Sequence, residues 1–124
     1  TAGERLMWVA FLALLVGSMA VIILGWQGWQ EKLPRQPWAG IRTPYAMAND
    51  EQWRLVHRYG APYLIFGGVA VFAGALAMLP FAIAGALPNA FAASVTIALA
   101  AILFVSAIVS WQKGVGGAKA ELSR

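Results

Sequence analysis

Leu6-Met7-Trp8-Val9-Ala10-Phe11-Leu12-Ala13-Leu14-Leu15-Val16-Gly17-Ser18-Met19-Ala20-Val21-Ile22-Ile23-Leu24-Gly25-Trp26 runs for 21 residues without one Asp, Glu, Lys, Arg or His. A helix needs about 20 such residues to cross a hydrocarbon layer about 30 Å thick. Two more runs of the same kind follow, Ala61 to Leu79 and Ala90 to Trp111, of 19 and 22 residues. In lipid each backbone amide must be satisfied within its own segment, so all three runs are expected to be helical. The first is too long for a cleaved signal peptide, and Gly25-Trp26-Gln27 is a poor cleavage site.

Composition supports the same conclusion. The 124 residues are 60% hydrophobic and 11% charged. Soluble domains carry about 25% charged residues. So short a chain cannot bury this apolar excess in a core of its own, and lipid must cover it. The expected fold is a single all-α integral membrane domain over residues 1–124, with spans at about 6–26, 61–79 and 90–111 and a motif loop at 27–60. There is no cysteine and only one histidine, His57. Disulfides, thiolate chemistry, multi-histidine metal sites and bis-histidine haem are thereby excluded within this chain.

Aromatic residues mark the run ends: Trp8, Trp26 and Trp29 at the first, Tyr59 and Tyr63 at the second, Trp111 at the third. Such rings favour the headgroup level. The basic residues divide unevenly. Lys32, Arg35, Arg42, Arg54 and Arg58 lie in the first loop and Lys113, Lys119 and Arg124 in the tail, against Arg5 alone on the other side. Cytoplasmic loops are enriched in Lys and Arg. The split of eight against one therefore places loop and C-terminus in the cytoplasm and the N-terminus outside.

The connection Pro80–Asn89 is uncharged and reads as a tight turn. Gly114-Val115-Gly116-Gly117 reads as a flexible spacer. Two series of small residues, Ala10/Ala13/Gly17/Ala20 and Gly67/Ala70/Gly74/Ala77, recur at helical spacing and are expected to be the packing faces, because small residues let helices approach closely in lipid.

Polar chemistry is concentrated in the loop, whose core reads Gly40-Ile41-Arg42-Thr43-Pro44-Tyr45-Ala46-Met47-Ala48-Asn49-Asp50-Glu51-Gln52-Trp53-Arg54-Leu55-Val56-His57-Arg58. Pro44 forces Thr43 out of the helical region. Asn49 is a good N-cap, and Gln52 three residues on completes a capping-box pattern. Asp50 and Glu51 then occupy the first turn, where the helix dipole favours anions. A short interfacial helix is expected from about Asp50, bending at Gly60 and Pro62 into the second span. Trp53 and His57 fall one turn apart on its inner face. Trp53 is expected to anchor the helix at headgroup level, and His57 to face Arg42 or the backbone of the Gly40–Pro44 turn. For Arg42, Arg54 and Arg58 two readings stand side by side: contact with anionic lipid headgroups, or pairing of Arg42 with Asp50 or Glu51.

This string resembles the signature of the SdpI family of small bacterial membrane proteins, named for an immunity protein against a secreted toxin. The resemblance rests on Gly40, Ile41, Arg42, Thr43, Pro44, Asn49, Asp50, Glu51, Trp53, His57 and Arg58. Tyr45 stands where the family usually has Trp, and Leu33-Pro34-Arg35-Gln36 resembles the family's Ile-Pro-x-Asn. The resemblance covers the motif and the spans on either side, the three-helix unit of a family whose longer immunity proteins carry additional spans. It implies a partner-binding role in toxin immunity or signal reception, with Gly40, Arg42, Thr43, Pro44, Asn49, Glu51, Trp53, His57 and Arg58 contacting partner or lipid.

No nucleophile sits in a recognisable setting and no span holds a charge, so the chain reads as non-catalytic and without a cofactor. Ionisable residues within the membrane, the usual mark of an ion path, are missing from the spans too. The small-residue faces of a three-helix chain favour an accessory subunit of a larger respiratory or transport complex, with stand-alone immunity as the alternative. The expected partners are other integral membrane subunits and membrane lipids, including anionic headgroups; nucleic acid is not among them. Orientation is testable because the chain has no cysteine of its own. A cysteine introduced at Ser123 should resist an impermeant thiol reagent in intact cells and react once the cells are opened, and ready labelling in intact cells would reverse the topology.

Overall fold

In the computed structural model, which describes residues 2–124, three long helices carry the three apolar runs: α1 (Ala2–Trp29), α3 (Asp50–Ile83) and α4 (Asn89–Leu122). A single turn, α2 (Pro44–Met47), interrupts the first loop. All three long helices are long and apolar enough to cross a membrane. The chain is a multi-pass membrane protein. Helix α3 is central and packs along both α1 and α4, which meet each other over a shorter stretch. Many of their large apolar side chains point outward: Leu6, Val16, Phe66, Ile97 and Phe104 are each at least two-thirds exposed. In water such a surface would drive aggregation; in lipid it is a solvated face.

The helices meet at glycines. A Cβ on Gly25 would lie 2.8 Å from the Ile65 side chain, and one on Gly68 2.7 Å from Ile22, so α1 and α3 are in near-backbone contact. On the other side of α3, a Cβ on Gly60 would meet the Ser110 hydroxyl at 2.6 Å and its carbonyl at 2.7 Å. The Ser110 hydroxyl instead donates to the Gly60 carbonyl at 2.8 Å. Between the spans lies a core of Phe11, Leu14, Val71, Ala75, Ala92 and Leu99. A second core under the loop joins Leu33, Ala46, Trp53, Leu55, Val56 and Ala118.

The structure departs from the sequence reading in four places. First, no separate interfacial helix precedes the second span. Helix α3 runs from Asp50 to Ile83 with Pro62 and Pro80 inside it, and the only short helix in the loop is α2. Contacts on both flanks hold residues 56–62 in line: Gly28 of α1 sits against the His57 backbone, and Ser110 and Gly114 of α4 against Gly60 and Val56. Such packing overrides the local breaking tendency of Gly60 and Pro62. Second, the connection to α4 is shorter than Pro80–Asn89. Helix α3 ends at Ile83, and Gly85 (φ +70°) closes it with Gly85 N–H on Ala82 O and Ala86 N–H on Phe81 O, the paired bonds of a Schellman motif.

Third, the Gly114–Gly117 tail is helical rather than a spacer. Gly114 lies against the Val56 backbone and Gly117 against the Tyr59 ring, so these glycines make room for α3 and α4 runs on to Leu122. Fourth, the small series on α1 is not its packing face. Nothing lies within 4 Å of a Cβ at Gly17, and Ala13 and Ala20 are exposed. The buried positions are Phe11, Leu14, Ser18, Gly25 and Gly28. The α3 series is split, Gly67 and Gly74 meeting Ser106 and Leu99 of α4 while Ala70 and Ala77 face outward.

This packing makes opposite forecasts for two glycines. Gly60→Ala should lower stability by about 1–3 kcal/mol, the usual effect of overpacking. Gly17→Ala should leave it unchanged or slightly raised, because alanine is the better helix residue. Thermal unfolding of the two variants in the same detergent measures the contrast.

Candidate functional site: the histidine-latched loop

The loop folds back onto the charged end of the bundle through a chain of hydrogen bonds centred on His57. Thr43, extended at φ −69° and ψ 157°, caps α2 by accepting the Ala46 N–H on its hydroxyl at 3.3 Å, and Pro44 takes the first helical position, where its missing N–H is harmless. Asn49 caps α3: its carbonyl oxygen accepts the Gln52 N–H at 2.8 Å while its amide donates to Gln52 Oε1 at 2.6 Å. Gln52 in turn donates to the Tyr45 carbonyl at 2.9 Å and ties α2 to α3.

One turn further, Trp53 and His57 hold the segment before α2. Trp53 is 2% exposed, and its indole N–H donates to the Leu33 carbonyl at 2.9 Å. It lies inside the loop core, where its single donor has a backbone partner, which removes the penalty for burying it. His57 is 4% exposed, with its ring centroid 4.1 Å from that of Trp53. Nε2 accepts the Ile41 N–H at 2.8 Å, and Nδ1 lies 2.8 Å from the Trp53 carbonyl.

These two bonds define the protonation state. Nε2 faces a donor and must carry a lone pair; Nδ1 faces an acceptor and must carry the proton. The ring is therefore neutral, in the Nδ1–H tautomer. Burial holds its pKa below the ordinary 6.5, partly offset by the hydrogen bond to the Trp53 carbonyl. Gly40 completes the latch. Its φ of +92° suits glycine, and a Cβ there would stand 2.6 Å from His57 Nε2 and 3.3 Å from the Trp53 ring. The loop passes over the imidazole because residue 40 has no side chain.

Charged residues surround this latch. Arg42 does not pair with Asp50 or Glu51; it donates to the Pro37 carbonyl. The partner of Asp50 is Arg35, at 3.2 Å, and Arg35 also donates to the Met47 carbonyl at 3.1 Å. Residues 33–36 fold back over the start of α3 and bring Arg35 to Asp50, whereas residue 42 lies on the far side of the Gly40 turn. Arg54 pairs with Glu31 at 3.2 Å. Glu31 has φ +61°, a conformation disfavoured for a side-chain-bearing residue. It closes α1 with Glu31 N–H on Gly28 O and Lys32 N–H on Gln27 O. Arg58 donates to the Trp29 carbonyl, and its guanidinium carbon lies 3.5 Å from the centroid of the Trp29 ring. Glu51 stays exposed at the start of α3.

Of the motif residues, Gly40, Thr43, Pro44, Asn49, Trp53 and His57 thus meet in one hydrogen-bonded cap. Arg42 and Arg58 brace its edges, and Glu51 stands apart. The profile of the SdpI/YfhL protein family matches residues 32–114. The chain belongs to the SdpI/YfhL family. The matched residues span the loop cap, α3 and most of α4, and α1 lies before them. No curated protein and no solved structure is significantly similar.

Three contributors were missed in the sequence: the Leu33 carbonyl, the Arg35–Asp50 pair and the tail residue Ala118, which is fully buried in the loop core. Backbone carbonyls leave no sequence signal. The tail did leave one, because Ser110, Gly114, Gly117 and Glu121 continue a single helical face. Tyr59 bridges this tail to α3, its hydroxyl donating to Glu121 at 2.6 Å. Among the described residues no group of His, Cys, Asp and Glu is arranged to hold a metal ion.

The latch predicts a sign for pH dependence. The folded state disfavours the imidazolium, so below the ordinary pKa of 6.5 the unfolded chain takes up the proton first. Stability is thus full above that pH, falls as pH drops through it, and levels off below the folded pKa. His57→Gln, whose amide oxygen accepts the Ile41 N–H, should remove this dependence and keep most of the stability. His57→Leu should cost about 1–3 kcal/mol at pH 7.5, because it leaves the part-buried Ile41 N–H unpaired. Gly40→Ala should cost a similar amount, about 1–3 kcal/mol, by strain at a positive φ. Denaturant titrations at pH 5 and 7.5 measure all three.

Proposed function

We propose that this chain does no chemistry of its own and works by binding another membrane polypeptide, as an accessory subunit of a larger respiratory or transport assembly in a bacterial plasma membrane. The loop cap and C-terminus face the cytoplasm and the N-terminus faces outside, following the charge split. The observation that carries the reading is the unfilled small-residue face of α1. Gly17 has open space where a Cβ would be, and Ala13 and Ala20 beside it are exposed to the outside of the bundle. Small residues on a lipid-facing surface suit close approach by a second helix. The polar groups of the motif are in turn engaged with one another, which suits a rigid cap better than a catalytic centre, where a reactive group must meet substrate.

The second reading is immunity or signal reception of the SdpI type, which family membership favours. Extraction in a mild detergent followed by native mass spectrometry separates the two readings. An accessory subunit should leave the membrane with a stoichiometric integral-membrane partner, and Gly17→Leu should release that partner while the chain stays folded. Migration near its own mass of 13.2 kDa, with no partner enriched, would sink the subunit reading and put immunity first.

A further inference from the structure

A polar cleft of about 390 Å³ opens at the charged end of the bundle, where the ends of α1 and α4 stand beside the first turns of α3. Its walls carry Glu31, Glu51, Arg54, Arg58, Tyr59 and Glu121. Adjoining it, an apolar groove of about 220 Å³ runs between Trp26 of α1 and Ile65 and Phe66 of α3. Trp29 and Pro62 line both, so the polar and apolar parts form one continuous surface. Arg58 stands one turn beyond Pro62, a rise of about 6 Å. That matches the interfacial layer, about 5–8 Å deep on each side of the hydrocarbon.

We propose that this surface holds one zwitterionic phospholipid, with its phosphate at Arg58 and an acyl chain along Trp26 and Phe66. The site is independent of any protein partner on α1. Arg58 is stacked on the Trp29 ring and gives one N–H to the Trp29 carbonyl. A guanidinium has five such donors, and the rest of the fork is free to meet phosphate oxygens. The groove suits an acyl chain: Trp26 and Phe66 are 53% and 77% exposed and pack on nothing within the chain that would fill it.

Charge selects the headgroup. Three carboxylates, Glu31, Glu51 and Glu121, line the cleft, and Glu121 is paired with Arg124 at 3.6 Å. Arg54 is already paired with Glu31. Glu51 has no hydrogen bond or ion pair among the described residues. A net anionic lipid would meet an uncompensated carboxylate, whereas a zwitterion brings an ammonium group to balance it. Ethanolamine suits better than choline because its ammonium carries N–H donors for the rim carboxylates, and choline has none. This reverses the preference that the abundance of loop arginines suggests, because most of those arginines are engaged within the chain.

The test is native mass spectrometry of the full-length protein, released from detergent containing equal amounts of phosphatidylethanolamine, phosphatidylcholine and phosphatidylglycerol. One phosphatidylethanolamine should be retained about fivefold over phosphatidylglycerol, the ratio expected for one unit charge near a membrane surface. Phosphatidylcholine should fall between them. Glu51→Gln, at an exposed site, should raise phosphatidylglycerol retention toward that of phosphatidylethanolamine. Phe66→Ala should lower retention of all three lipids about threefold or more, since apolar contact is lost whatever the headgroup. Unchanged circular dichroism shows that each variant is folded. Phosphatidylglycerol retained as well as phosphatidylethanolamine by the unmodified protein would overturn the proposal, as would equal retention of all lipids by Phe66→Ala and its parent.

Discussion

One neutral imidazole holds the loop to the bundle. The His57 ring takes the Ile41 N–H on one nitrogen and gives a proton to the Trp53 carbonyl from the other, so two backbone segments 12 residues apart, residues 41 and 53, are joined through a single side chain. Other features serve that contact. Gly40 clears the space above the ring, Trp53 packs beneath it and ties down Leu33, and Gly28 lets α1 come against the His57 backbone. A lysine or arginine could not replace it, since neither can accept the Ile41 N–H. A carboxylate would bring a charge into a buried site.

The helices on which the latch is mounted are held by close approach rather than by burial of large side chains. In lipid there is no hydrophobic drive between apolar helices, so contact depends on van der Waals packing and hydrogen bonds. Gly25, Gly60, Gly67, Gly68 and Gly114 provide the first, and Ser110 on the Gly60 carbonyl provides the second. The same economy leaves much of the outer surface of α1 uncommitted. Its Gly17 region and the groove beside Trp26 are separate faces, and each suits a different kind of neighbour, a helix at one and a lipid at the other.

The spans were legible because charge exclusion over about 20 residues has few other causes. The Asn49–Gln52 cap and the placement of Trp53 and His57 one turn apart were legible for a similar reason: each depends on local spacing alone. What local spacing could not give was the effect of neighbours. Gly60 and Pro62 look like a bend until α1 and α4 are seen to clamp them, and Gly114–Gly117 looks like a spacer until Val56 and Tyr59 fill the space beside it. The small series on α1 was real, but periodicity cannot say whether a face meets the bundle or the lipid. The partners of the arginines were open for the same reason, since charge counts do not show that Arg35 rather than Arg42 reaches Asp50.

The state of the His57 ring is the most direct test of this account. The chain has a single histidine, so with histidine ¹⁵N-labelled in the ring only, spectra in bilayers carry just its two ring signals. At pH 7 the account predicts a protonated Nδ1 coupled to its hydrogen and an unprotonated Nε2 accepting a hydrogen bond from the Ile41 amide. An Nε2–H tautomer, or an imidazolium at that pH, would contradict it: either one puts a proton where the Ile41 N–H must donate, and the latch could not exist as described.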